Sequence, residues 1–134
     1  SEVVVQQLEQ YNNNADAQPV NLSGRQRMLS QRIAKLYLAL SWHLPIEQLP
    51  QSFAHTVGEF EQALLTLQKA PQNTSEINSG LQKVDAQWRF SQAGFKLSNQ
   101  SRYVPTVIVT TTDTLTGQMN ALTQQYEQVM AAQP

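Results

Sequence analysis

The sequence predicts an all-α fold: an up-down-up-down four-helix bundle with a possible extra N-terminal helix or helix extension. Three observations lead there. Apolar residues recur every three or four positions along four long segments, the spacing of one helix face. Pro45, Pro50 and Pro71 fall between those segments. The one run with strong strand propensity has no partner strand elsewhere in the chain.

Residues 2–14 carry Val4, Leu8 and Tyr11 at helical spacing. The Asn12-Asn13-Asn14 run and Pro19 leave the end of that helix open, because a proline fits either a new helix start or a kink within a longer helix. Residues 1–18 therefore stand as an N-terminal helical extension and 19–134 as the bundle. The next helix spans about 21–43, with Leu29, Ile33, Leu36 and Leu40 on one stripe. A helix over 51–70 presents Phe53, Val57, Phe60, Leu64 and Leu67 and stops at Pro71. Asn73, with Glu76 three residues on, resembles a capping box. It opens a helix over 74–98 through Ile77, Leu81, Val84, Trp88 and Phe95. The last segment, 103–131, carries Val104, Ile108, Leu115, Leu122, Tyr126 and Val129. Within it, Val107 to Thr112 favours a strand by propensity, but the helical spacing continues beyond that run.

A chain of 134 residues is one domain, large enough for its own core. Charged residues make up 14% and the net charge is −1, which gives no global reason to bind nucleic acid. No run of 18 apolar residues could span a membrane. Ser1-Glu2-Val3-Val4-Val5 lacks the basic and apolar regions of a signal peptide, as expected of a chain that never had one, a mature chain or an excised domain. The absence of cysteine excludes disulfides and thiolate metal sites. Gln, Asn, Ser and Thr crowd positions where Glu and Lys are usual, a lean towards an exported, periplasmic protein.

The informative segment is Asn21 to Lys35, which holds Arg25, Arg27, Arg32 and Lys35 without an intervening acid. At about 100° per residue, Arg25 and Arg32 share a face beside the core stripe. Arg27 falls in line with Ser23, Ser30, Ala34, Tyr37 and Ser41, a heptad seam of mostly small residues. Small residues let another helix approach closely, so the helix is expected to have a second buried stripe for something outside its own bundle. If that is the same helix of a second subunit, two-fold symmetry brings Arg27 near its copy. An anion between the two guanidinium groups relieves their repulsion and collects planar, bidentate hydrogen bonds; nitrate has that geometry. A basic cluster on a helix is also compatible with a solvated or internally paired face.

The run Ser23-Gly24-Arg25-Gln26-Arg27-Met28-Leu29-Ser30-Gln31-Arg32-Ile33-Ala34-Lys35 resembles the signature of the PilJ-type domain, the N-terminal sensor region of type IV pilus-associated methyl-accepting chemotaxis transducers. It is also similar to the shorter signature helix of the NarX/NarQ nitrate and nitrite sensor kinases, through Gly24, Arg27, Met28, Ser30 and Arg32. The resemblance implies an extracytoplasmic, homodimeric sensor domain for signal transduction and chemotaxis. It implies anion binding by Arg27 across the dimer axis, with Gly24 letting the backbone come close and Arg32 and Met28 in supporting parts. Ser23, Ser30 and Arg25 complete the expected ligand-binding set. Arg25 is a charge that the kinases' helix lacks, and pilus-type members need not all bind nitrate.

The remaining candidates point elsewhere than chemistry. His43 and His55, twelve apart across a turn, fall short of the ligand count of a metal site. Trp42 and Trp88 are expected in core or interface packing. Glu59 and Glu61 point to different helix faces. No serine sits in a nucleophile elbow, and Gly24 and Gly80 are isolated, so no phosphate loop exists. The expectation is a non-enzymatic domain with no cofactor and no metal, a small anion as ligand, and a second copy of itself as partner. The competing reading is a periplasmic interaction module that uses the basic helix to dock a protein and takes no small ligand.

Overall fold

The computed structural model describes the backbone of residues 2–132 and the side chains of residues 17–132. It contains four helices: α1 (Glu2–Ser41), α2 (Leu49–Gln68), α3 (Ser75–Ser98) and α4 (Pro105–Ala131). The expected stripe of Val4, Leu8 and Tyr11 lies outside the described side chains. The backbone of α1 runs through Pro19 as a single helix, so the segment ahead of Pro19 extends the first helix.

Contacts along the chain give the direction of each helix. From Ser23 to Tyr37, α1 meets α4 at Thr123, Asn120, Thr116 and then Val104, in falling order. The two helices are therefore antiparallel. On the other side, α3 meets α4 with Glu76 at Gln125 and Gly94 at Ile108, again antiparallel. Helix α1 packs most extensively on α4, whereas α2 and α3 touch far less.

The core is the set of stripes that the spacing predicts. Leu29 and Ile33 of α1, Phe60, Leu64 and Leu67 of α2, Ile77, Leu81, Val84 and Trp88 of α3, and Ile108, Leu115, Leu122 and Tyr126 of α4 are buried. Leu36, Leu40, Val57, Val104 and Val129 border that cluster half-buried. Phe60 stacks on Trp88 with ring centroids 4.3 Å apart. Towards the loop end, Tyr37, Phe53, Phe95 and Tyr103 form a second aromatic group. Offset and edge-on ring pairs of this kind add about 0.5–1.5 kcal/mol each beyond their buried area.

The helix ends have local causes. After α1, the Leu44 amide reaches the Ala39 carbonyl and the His43 amide that of Leu40. After α3, Arg102 and Ser101 repeat the pattern on Leu97 and Ser98. Both ends are Schellman motifs, with His43 (φ 56°) and Ser101 (φ 57°) in the left-handed position usually taken by glycine. The cap of α3 is Thr74, whose hydroxyl accepts from the Ile77 amide, one residue beyond the expected Asn73. Asn73 instead donates to the Leu67 carbonyl at the end of α2 and accepts from the Tyr126 hydroxyl.

The strand-prone run of α4 is helical. The hydroxyls of Thr111 and Thr112 donate to the carbonyls of Val107 and Ile108 one turn back, an arrangement open to threonine in a helix. Trp88 lies in the core, but Trp42 is 66% exposed beside exposed Leu44 and Ile46 at the α1–α2 turn. Trp42 thus contributes nothing to the core, because α1 has ended one residue earlier. Among the described residues, no helix is long and apolar enough to cross a membrane.

Candidate functional site

The signature segment lies wholly within α1, and its faces divide the work. Gln26, Leu29 and Ile33 point inward, Ser23, Ser30 and Tyr37 face α4, and Met28, Gln31, Arg32 and Lys35 are exposed. Residues two positions apart on a helix differ by about 200° in direction, which puts Arg25 and Arg27 on opposite flanks.

The small-residue seam is filled by α4 of the same chain. Ser23 and Ser30 are fully buried within one subunit. The Ser30 hydroxyl donates to the Arg27 carbonyl and lies 2.8 Å from that of Thr116. The Ser23 hydroxyl donates to the Val20 carbonyl and accepts from Thr123 at 2.9 Å. At the loop end of the seam, the Tyr37 hydroxyl accepts from the Val104 amide at the start of α4. This corrects the expectation of a second stripe reserved for a helix outside the bundle. Seam spacing requires that some helix approach closely, and α4 is the one that does.

Arg27 sits at the edge of that contact, half-buried. Its Nη1 donates to Oδ1 of Asn120 on α4 at 2.7 Å. A Cβ at residue 24 would meet Arg27 Nη2 at 3.4 Å, an ordinary contact distance, so the guanidinium lies against the helix at Gly24. Among the described residues, no carboxylate lies within ion-pair distance of Arg27. A guanidinium carries five N–H donors, and the Asn120 amide takes one while leaving the charge uncompensated.

Arg25 occupies a different site. Its Nη2 pairs with Glu59 Oε2 on α2 at 2.6 Å, and the other oxygen of Glu59 meets His55 Nε2 at 2.9 Å. The hydrogen bond from Arg25 holds the Glu59 carboxyl below its usual range, with smaller help from the charges of His55 and Arg32. The structure therefore separates Arg25 from Arg27, buries Ser23 and Ser30 beneath Arg27, and keeps Gly24 beside it. His43 lies edge-on to Tyr103 at the loop end, whereas His55 meets Glu59 on α2.

Gln26, between the two arginines, is fully buried. Its Nε2 donates to the Phe60 carbonyl of α2 at 2.8 Å, while its Oε1 has no hydrogen-bond partner among the described residues. Sequence reasoning missed Asn120, the residue that touches Arg27. It lies 93 positions away, and an exposed asparagine on an otherwise ordinary helix carries no signal of its own.

The signature segment thus sits in the first helix of an all-helical bundle, packed against α4. Residues 11–106 match the family model PilJ, described as the N-terminal region of type IV pili methyl-accepting chemotaxis transducers. That match spans more than two thirds of the chain and includes the whole signature segment. The chain belongs to this family. No curated protein and no solved structure matches it.

Proposed function

We propose that this domain is the extracytoplasmic, periplasmic sensor of a signal-transducing receptor, and that it takes a small anion, nitrate or nitrite first, at Arg27 across a homodimer axis. The observation that carries the reading is the state of Arg27. It is a half-buried guanidinium with a neutral amide on one nitrogen and, among the described residues, no carboxylate within ion-pair distance. The likeness of its surroundings to the nitrate-sensor signature supports the same reading.

In this account the outer edge of α1, with exposed Met28 beside Arg27, meets its own copy. Two cations brought together repel, so the paired arrangement is disfavoured without a ligand. A planar anion between them removes that repulsion and receives charge-assisted hydrogen bonds from both. Binding thus favours one arrangement over another, as a sensor requires. Ser23 and Ser30 set the spacing of α1 and α4 below the guanidinium, while Arg25 is held away from it by its pair with Glu59. The signal leaves through the α1–α4 contact, because the start of α1 and the end of α4 lie at the same end of the bundle.

Sedimentation of the domain with and without nitrate tests the dimer. Nitrate is expected to shift a monomer–dimer equilibrium towards dimer in the wild type and not in Arg27→Ala. Sedimentation unchanged by nitrate in the wild type would count against it.

A further inference from the structure

On the flank of α4 away from Asn120, α3 and α4 border a cleft of about 490 Å³. That volume lies within the range of small-molecule sites. Its floor is Leu122, and Gly80 allows the two helices to close there: a Cβ at residue 80 would come within 2.9 Å of Leu122 Cδ2.

Polar groups stand at both ends. At one end Gln125 Nε2 donates to Glu76 Oε1 at 3.1 Å. Lys83 and Gln118 also line the cleft. Glu76 and Lys83 are seven residues apart on α3, as are Gln118 and Gln125 on antiparallel α4. The second pair therefore sits two turns from the first, roughly 10 Å along the axis. Oε1 of Gln118 and Oε1 of Gln125 are shielded from solvent and have no hydrogen-bond partner among the described residues, a condition native proteins rarely leave unexplained. Among the described residues Lys83 has no carboxylate within ion-pair distance.

The cleft thus offers an anion and an acceptor at one end and a cation and an acceptor at the other, over an apolar floor. We propose that it binds a short peptide zwitterion of dipeptide size. The ligand's ammonium lies on Glu76 and Gln125 Oε1, a peptide N–H donates to Gln118 Oε1, and the carboxylate pairs with Lys83. A single amino acid, with both charges on one carbon, would not bridge the two ends. The inference stands apart from the reading of Arg27, which lies on the other side of α4.

The test is calorimetric titration of the domain with L-alanyl-L-alanine and L-alanyl-L-leucine. At least one is expected to bind saturably. That binding should weaken tenfold or more in Glu76→Gln and in Lys83→Gln, and also when the peptide is N-acetylated or C-amidated, while Arg27→Ala leaves it unchanged. Both substituted side chains are exposed, and circular dichroism checks that the variants keep their helices. Binding of neither peptide would overturn the proposal, as would binding indifferent to these changes or lost in Arg27→Ala.

Discussion

Arg27 Nη1 and Asn120 Oδ1 lie 2.7 Å apart, joining the middle of α1 to α4 at the rim of a buried seam of hydroxyls. Because the partner is an amide, the bond orients the guanidinium without neutralising it. A carboxylate at the same place would orient it equally well and compete directly with any anion. Asn120→Asp is therefore expected to weaken nitrate binding about tenfold or more, or roughly 1.4 kcal/mol, without loss of helix. Isothermal titration of the two proteins measures the ratio, and equal affinities would mean that the ligand does not use this guanidinium.

Gln26 is a buried amide with one oxygen unpaired. Leucine has similar bulk and no polar atom to desolvate, and the Phe60 carbonyl keeps its place in the hydrogen-bond ladder of α2. Removing an unsatisfied polar group in favour of a similar apolar one is close to neutral or stabilising. Gln26→Leu is expected to unfold in urea with a free energy equal to wild type or higher by about 1 kcal/mol. A loss of more than about 2 kcal/mol would show that Gln26 Oε1 is satisfied by a bound water or ligand.

Tyr126 donates its hydroxyl to Asn73 at 2.6 Å, and burial pushes its pKa up to about 12. An unfolded tyrosine ionises near pH 10. Below pH 10 both states hold the proton, so the group adds no pH dependence there. Between about pH 10 and 12 the unfolded state loses it first, and stability falls as pH rises. In Tyr126→Phe the alkaline decline should be shallower, and the difference from wild type should narrow above pH 10. Parallel stability curves up to pH 12 would contradict this.

The four helices were legible because helical spacing is a local property. Leu29 and Ile33, or Ile77 through Trp88, can be assigned to a buried face from their own neighbours alone. The second stripe of α1 was legible as a stripe, but not as the surface that receives α4, since spacing carries no information about which helix arrives. The pairs Arg25–Glu59 and Arg27–Asn120 are 34 and 93 residues apart and exist only once the helices are placed. Thr74 displaces Asn73 as the cap because Asn73 is already engaged by Leu67 and Tyr126. Trp42 left the core for a similar reason: the helix ends before it, so its period no longer applies.

The most direct measurement is thermal unfolding of the wild type and Arg27→Ala, side by side, in rising nitrate, nitrite and chloride. A ligand that binds only the folded state adds about 2.7 kcal/mol at 100 times its dissociation constant, which displaces the transition by several degrees. The account predicts an upward shift with nitrate or nitrite, little with chloride, and none in Arg27→Ala, whose helical content stays that of the wild type. An absence of any anion-specific shift in the wild type, or the same shift in both proteins, would contradict it.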